Sequence, residues 1–242
     1  MIRRLSFGFV VVFITAFIVA ACGRQVTPNP PGLGPGGAPL GYVAIHFDVA
    51  SAFNFTNYRY MIVFNTTGSG ITPSTDTLQK NWAGYSFALM ALGNGLTSSA
   101  QAVQFVQNRN PHIPPAWLPL GTTPQQFSYN LNSNGTGTQF SLLAQKSIFR
   151  GIASPSPSPS ASPSNKWTFN AFVTQATGQG VWTFADSMGV GGPVDPQFVS
   201  PILCMTEPFD NTYFARYTPG DPAAQIFSVE ISNNPPAPAP CP

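Results

Sequence analysis

Residues 42–49 read YVAIHFDV, and their pattern decides the fold class. Every second side chain is apolar, at Val43, Ile45, Phe47 and Val49. Successive side chains of a β-strand point to opposite faces, so this period of two is typical of a strand that buries one face. His46 and Asp48 then fall together on the opposite, more polar face. The segment therefore predicts a strand with one face in a core and the other toward solvent.

Short apolar or alternating segments recur along the rest of the chain. Residues 58–64 are apolar on both faces, which favours a central strand, and residues 85–92 fit either a similar strand or a buried helical turn. Only residues 98–108 favour a helix, with Ser98 or Ser99 as its cap. Alternating patterns predict further strands at 127–131, 140–144, 167–173, 181–184, 213–217 and 226–231.

The turn-forming run NSNGTG at 132–137 separates two of these predicted strands and indicates a hairpin. Glycine, proline and asparagine occur between most of the others. Short aromatic strands with such turns are typical of all-β folds. We expect a mainly β protein, with an antiparallel β-sandwich or barrel-like domain and few helices.

Charged residues are scarce, at 7% of the chain against the usual ~25%, whereas the hydrophobic content of 43% is normal. Disordered chains combine low hydrophobicity with high net charge, so the composition excludes that class. Removal of Arg3 and Arg4 with an N-terminal leader leaves 8 basic and 8 acidic residues. A neutral chain without a basic stripe is not expected to bind nucleic acid.

The N-terminus has the layout of a secretory signal. Two arginines precede an apolar run over residues 5–21, which ends in two alanines before Cys22. A charged start, an apolar stretch and small residues before a cut define a signal peptide, which we assign to residues 1–21. The cysteine directly after the alanines resembles the lipobox of bacterial lipoproteins. The alternatives are an ordinary leader cut after Ala21 and an uncleaved membrane anchor.

The resemblance implies that the Cys22 thiol carries a diacylglyceryl group and that Cys22 is the first residue of the mature protein. Two acyl chains hold a protein stably at a bilayer, whereas one holds it only marginally. Export is also implied, to the outer membrane in a diderm or to the outer face of the cytoplasmic membrane in a monoderm. Gly23, where retained lipoproteins carry Asp, favours the outer membrane. Residues 22–41, rich in proline and glycine, then form a flexible tether.

The predicted β domain spans residues 42–234 and contains the run SPSPSPSASPS at 154–164. Repeated proline keeps such a run extended and outside a sheet. We expect an exposed loop inside one domain, with a boundary between two domains as the alternative. Residues 235–242 form a proline-rich tail.

The three cysteines divide between two roles. With Cys22 acylated, Cys204 and Cys241 are the remaining thiols. An exported chain in an oxidising compartment tends to pair them, so we expect a disulfide that holds the tail. The alternative is two unpaired cysteines.

The sequence offers few groups for catalysis. Its two histidines are His46 and His112, and it has no Gly-x-Ser-x-Gly elbow, metal-ligand spacing, phosphate loop or dinucleotide fingerprint. The 8 acidic residues form no recognisable pair for glycoside cleavage. His46 and Asp48 share a strand face that could bind a ligand, but we expect a solvated polar face there rather than a metal site. No cofactor is expected.

Aromatic residues are the remaining side chains that could bind a ligand. Trp117, in the run PPAWLP, is the one we expect to be exposed, since most of the others are needed in the core. The sequence favours a lipid-anchored protein whose exported domain binds a partner or has a structural role in the envelope, without catalysis. A carbohydrate- or peptide-binding module that uses exposed aromatics is the first alternative. A hydrolase with an unfamiliar site is the second.

Overall fold

The computed structural model of the 242-residue chain describes ten stretches of it. They are residues 37–75, 82–93, 98–106, 116–121, 127–131, 138–149, 164–175, 183–188, 198–216 and 220–241. The chain divides into two units, Met1–Leu33 and Gly34–Pro242, and every element below belongs to the second. The predicted signal peptide, Cys22 and most of the predicted tether lie outside the described residues.

Fourteen β-strands make up the described fold, numbered in chain order. They are β1 (Tyr42–Val49), β2 (Tyr58–Asn65), β3 (Ser74–Thr75), β4 (Trp82–Ala83), β5 (Phe87–Gly93), β6 (Ser98–Val106), β7 (Ala116–Pro119), β8 (Phe127–Leu131), β9 (Gln139–Gln145), β10 (Lys166–Gln175), β11 (Phe184–Ser187), β12 (Leu203–Cys204), β13 (Phe209–Phe214) and β14 (Ile226–Asn233). One turn of 3-10 helix, Lys146–Phe149, follows β9. The ten stretches contain no α-helix, and no helix in them is long and apolar enough to cross a membrane.

Two antiparallel sheets pack face to face. The five-stranded sheet has the order β13-β14-β1-β9-β8. The seven-stranded sheet has the order β11-β10-β2-β5-β6-β7, with β12 also paired to β10, and β3 and β4 form a separate hairpin. Neither sheet closes on itself, so the fold is a β-sandwich and not a barrel. The predicted mainly β, antiparallel sandwich is confirmed.

One core fills the space between the sheets, because both inner faces are apolar. The alternate residues of β1 supply one side of it, and Val43, Ile45 and Phe47 are at most 2% exposed. Tyr60 and Phe64 of β2 are among the residues that supply the other side. Full burial of such a side chain contributes ~1.5–3 kcal/mol. A slip of one residue in β1 would turn this whole set to solvent, so the core fixes the register.

The seven-stranded sheet is buried on its outer face as well. A second apolar cluster there includes Met61 and Val63 of β2 together with Phe172 of β10. β2 pairs with β10 on one side and β5 on the other. This confirms the central strand predicted at 58–64, and residues 87–93 form a strand rather than a helical turn.

The helix predicted at 98–108 is wrong. Residues Ser98–Val106 form β6, which pairs antiparallel with β5 from Phe87↔Gln104 to Gly93↔Ser98. Val103 of β6 is 1% exposed in the outer apolar cluster. The alanines and glutamines of this segment have good helix propensity, but pairing with β5 and burial in the cluster outweigh that preference.

Other predicted elements hold with shifted ends. β8 and β9 form the predicted hairpin, with Leu131 opposite Phe140. A strand pairs with β10 near the predicted 181–184, but β11 covers Phe184–Ser187 and shares only Phe184 with that range. The strand predicted at 213–217 lies earlier in the chain, since β13 begins at Phe209 and ends at Phe214.

Each sheet combines strands from both sides of the Ser/Pro run at 154–164. β10 follows the run and pairs with β2, which precedes it. β14 likewise follows the run and pairs with β1. The strands before and after the run therefore belong to one sandwich. Residues 154–163 themselves lie outside the described residues.

The C-terminal tail is attached covalently to the sandwich. Cys204 of β12 and Cys241 form a disulfide with Cα atoms 5.8 Å apart and a sequence separation of 37 residues, which confirms the predicted pairing. The N–H of Ala239 donates to the carbonyl of Thr206 at 2.9 Å, and the N–H of Cys241 donates to Oε1 of Glu207 at 3.0 Å. The tail is therefore held along residues 204–207.

Candidate functional site

Polar side chains cross four strands on the outer face of the five-stranded sheet. In register, Ser141 of β9 lies opposite His46 of β1, His46 opposite Glu230 of β14, and Glu230 opposite Thr212 of β13. The residues on either side of His46 belong to the core, so these four face away from it. Directly opposed residues have Cβ atoms ~4.5–5.5 Å apart and can interact. We call Ser141, His46, Glu230 and Thr212 the polar row.

The structure brings the two predicted residues His46 and Asp48 to this face. Nδ1 of His46 and Oγ of Ser141 lie 2.8 Å apart, and the tautomer of the ring decides which one donates. Asp48 Oδ2 accepts a hydrogen bond of 2.9 Å from Oγ of Ser228. Both side chains are half-buried. Their bonds reach strands on opposite sides of β1, so each is positioned by a neighbouring strand.

Glu230 connects His46 to two further acidic residues. Burial is the largest cause that raises the pKa of Glu230; the charge of His46 opposes this, and the charges of Asp210 and Asp48 raise it further. The carboxyls of Glu230 and Asp210 are also hydrogen-bonded to each other. This hydrogen bond favours the protonated form of Glu230, so the Glu230 carboxyl retains its proton more readily than an isolated glutamic acid does.

Two phenylalanines lie on the same sheet at the end of β13 and the start of β14. Phe214 is 69% exposed and Phe227 is 57% exposed. Their ring centroids are 6.0 Å apart with an interplanar angle of 83°. Phe214 lies opposite Ser228, the residue that donates to Asp48. The exposed aromatic pair therefore adjoins the polar groups, an arrangement that often marks a binding surface.

The surface combines hydrogen-bonding groups with apolar rings. Asp48 and Glu230 offer carboxylate acceptors, and Thr212 offers an exposed hydroxyl. Such groups suit the hydroxyls of a ligand, and the Phe214–Phe227 pair suits its apolar side. Among the described residues, no three His, Cys, Asp or Glu side chains are grouped so as to hold a metal ion.

Trp117 is not brought to this face by its strand. It lies in β7, the last strand of the other sheet, opposite Phe105 of β6. Its side chain, the whole of His112 and the lipid site Cys22 lie outside the described residues. The exposure predicted for Trp117 stays a prediction.

Sequence reasoning missed Glu230, Asp210 and the phenylalanine pair. A local signal existed for one of them, because the alternation over 226–231 places Ser228 and Glu230 on the same, polar face of a strand. It could not reveal that this strand pairs with β1, about 180 residues earlier, in the register His46↔Glu230. No protein-family model, curated protein or solved structure matches this chain.

Proposed function

We propose that the chain is an exported lipoprotein, anchored by a lipid on Cys22, whose β-sandwich is a binding module rather than an enzyme. The observation that carries the binding role is the polar row beside the exposed Phe214–Phe227 pair. The anchor is supported by the lipobox-like residues before Cys22. The proposed membrane is the outer membrane in a diderm, or the outer face of the cytoplasmic membrane in a monoderm.

A carbohydrate is the ligand class that best matches this surface. A sugar ring carries hydroxyls at its edge and C–H groups on its faces. Aromatic rings pack against the C–H faces, and carboxylate, imidazole and hydroxyl groups bind the hydroxyls. Asp48, Glu230 and Thr212 supply the polar partners beside Phe214. The open sheet face suits a chain of several sugars rather than one small molecule.

A peptide is the alternative ligand. β13 is the last strand of its sheet, so an extended peptide could pair with its outer edge. The Phe214 side chain would then contact alternate side chains of that peptide. An envelope protein with an extended segment fits this mode.

Glycan-array and peptide-library binding of the full-length protein tests the binding role. Truncation of Phe214 or Phe227 to alanine should weaken binding by about tenfold or more, as central aromatic contacts commonly do. Val199→Ala is the matched control, because Val199 is 77% exposed but lies in the segment before β12. Binding that survives loss of both rings, or no binding to either library, contradicts the proposal. Trp117→Ala in the same assay tests the site predicted on the other sheet.

The anchor is tested by the intact mass of the protein from the membrane fraction. We expect a mature chain that starts at Cys22 and carries a diacylglyceryl group. Cys22→Ala should lose the acyl mass and leave the membrane fraction in part. An acylated mass that is unchanged by Cys22→Ala contradicts the assignment.

A hydrolase is the second candidate, because Ser141, His46 and Glu230 lie in that order along the polar row. A nucleophile activated by histidine needs the contact of 2.8 Å that Ser141 Oγ makes with His46. Two features oppose it: the contact is to Nδ1 and not Nε2, and the Glu230 carboxyl is bonded to Asp210. Ester hydrolysis that falls about 10³-fold in both Ser141→Ala and His46→Ala would favour this candidate over a binding module.

A further inference from the structure

Most of the large hydrophobic side chains exposed in the described stretches lie at the end of the sandwich opposite the Phe214–Phe227 pair. Four of the six are Leu40, Ile71, Val199 and Ile202, which are 57%, 52%, 77% and 59% exposed. We call these four residues the apolar end. The remaining two are Phe214 and Phe227. Exposed apolar residues grouped at one end of a domain often mark a surface that contacts another protein or a membrane.

Hydrogen bonds place Leu40 at this end. The N–H of Gly41 donates to the carbonyl of Asn234 at 2.6 Å, directly after β14 ends. Nδ2 of Asn233 donates to the carbonyl of Met205 at 3.2 Å, directly after β12. The start of β1, the end of β14 and the end of β12 therefore meet here.

The other three residues lie on segments bonded to the start of β10, at the same end. β12, which directly follows Ile202, pairs with the first residues of β10. Oγ1 of Thr168 donates to the carbonyl of Ile71 at 2.5 Å. The N–H of Ser200, next to Val199, donates to Oγ1 of Thr72 at 2.9 Å. Both loops are thereby fixed where they expose these side chains.

The predicted tether enters the domain at this end. Leu40 stands two residues before β1, and 14 residues separate Cys22 from Gly37. A flexible chain of that length spans about 20 Å r.m.s.. The 8 residues of β1 extend ~26 Å, which separates the tether entry from the Phe214–Phe227 pair. The chain that leads from the proposed lipid on Cys22 therefore joins the domain at the apolar end and not beside the Phe214–Phe227 pair.

The charged side chains that the structure describes at this end balance in sign. Lys146 and Lys166 lie here, and so do Glu207 and Asp210, at the start of β13 or just before it. Nζ of Lys146 donates to the carbonyl of Met205, and burial lowers the pKa of this lysine. These described charges give no net attraction, so the exposed apolar side chains are the feature that favours contact at this end.

We propose that the apolar end rests on the lipid bilayer to which the chain is anchored. Leu40, Ile71, Val199 and Ile202 insert into the interfacial region of the membrane. This orientation turns the Phe214–Phe227 pair away from the bilayer and presents it to ligands. The inference rests on the proposed lipid anchor at Cys22.

Quenching of a fluorophore by lipids tests the orientation. The full-length protein is reconstituted into vesicles of equal parts phosphatidylethanolamine and phosphatidylglycerol that contain a nitroxide-labelled lipid. A polarity-sensitive label is attached to Val199→Cys or Ile202→Cys, with Phe214→Cys and Phe227→Cys as matched controls. The native thiols do not compete, because Cys204 and Cys241 form a disulfide and Cys22 carries the lipid in the proposed mature form.

We expect blue-shifted emission at 199 and 202, quenched several-fold more strongly than at 214 and 227. Equal quenching at both ends, or at neither, overturns the orientation. A blue shift that depends on protein concentration and persists in detergent identifies a second copy as the occupant, which also overturns it.

The mass of the Cys22 peptide from the same sample separates the two proposals. An acylated peptide with equal quenching refutes bilayer contact alone and leaves the anchor intact. An unacylated peptide refutes the anchor, and the bilayer contact falls with it.

Discussion

The ring of Phe214 meets the ring of Phe227 edge to face, with centroids 6.0 Å apart, at a place where both side chains are more than half exposed. Neither ring belongs to the core between the sheets. The folded chain thus keeps two large apolar groups in contact with water. Their place beside Asp48 and Ser228 is the feature on which the proposed binding role rests.

Loss of one of these rings should leave stability almost unchanged. Phe214→Ala removes an exposed edge-to-face contact, so we expect the free energy of unfolding to fall by about 1 kcal/mol or less. Phe169→Ala is the comparison, because Phe169 is 0% exposed and its loss should cost ~3–5 kcal/mol. Urea denaturation of both variants measures the difference. A similar loss in the two would mean that Phe214 is part of the packed structure.

The disulfide should contribute substantially to stability. Cys241→Ser opens a loop of 37 residues between Cys204 and the tail, which in the chain-entropy model costs roughly 2–4 kcal/mol. The freed tail should also become sensitive to proteases, because its backbone contacts to Thr206 and Glu207 are few. Urea denaturation and limited proteolysis measure the two effects. Pro238→Ala, which keeps the bond, should change neither.

Loss of the hydroxyl should destabilise the protein more at Tyr60 than at Tyr58, two residues earlier. Tyr60 is 1% exposed; its hydroxyl donates to the carbonyl of Ala223 at 2.9 Å and accepts from the N–H of Asn54 at 2.9 Å. Tyr60→Phe leaves both groups without that partner and should cost ~1–3 kcal/mol. Tyr58→Phe breaks an exposed bond to Asp221 and should cost less than about 1 kcal/mol. Equal losses on thermal denaturation would contradict this difference.

The acidic cluster should make stability depend on pH. Burial is the main cause that raises the pKa of Glu230 above 4.5, with Asp210 and Asp48 raising it further and His46 opposing. A raised pKa means that the folded state binds the proton more tightly than the unfolded state. The resulting stability is present below pH ~4.5 and is lost as pH rises through the folded pKa.

Glu230→Gln should therefore gain stability relative to the native chain between pH 4 and pH 7. Because Glu230 is partly exposed, the gain should stay below about 1 kcal/mol. Thermal denaturation across that range measures it, with Thr212→Val as a control that removes a neighbouring hydroxyl and no titrating group. A difference that is the same at every pH would show that the carboxyl titrates alike in the folded and unfolded chains.

Local pattern predicted the strands well and their partners poorly. The alternation of β1 assigned Val43, Ile45 and Phe47 to the core because a strand has one simple period. The segment of β6 was misassigned because its alanines and glutamines favour a helix until β5 supplies hydrogen bonds at its side. Propensity is local, whereas pairing depends on residues elsewhere in the chain.

The candidate site was predicted in part for the same reason. His46 and Asp48 follow from one strand, but Ser141 and Glu230 reach them only through pairings over long separations. The disulfide was easier to predict, because the assignment of Cys22 to the lipid leaves Cys204 and Cys241 as the single possible pair. Exposure of Phe214 and Phe227 has no local signature, because both alternate with other residues as core aromatics do.

The position of β1 between β9 and β14 affects the order in which the chain can fold. β1 can complete its pairing on one side only when β14, the last strand, is available. Contacts between segments so far apart in the sequence form slowly. A chain that crosses a membrane N-terminus first cannot complete this sheet until residue 233 has emerged. The bond between Cys204 and Cys241 likewise cannot form in such a chain until residue 241 has emerged.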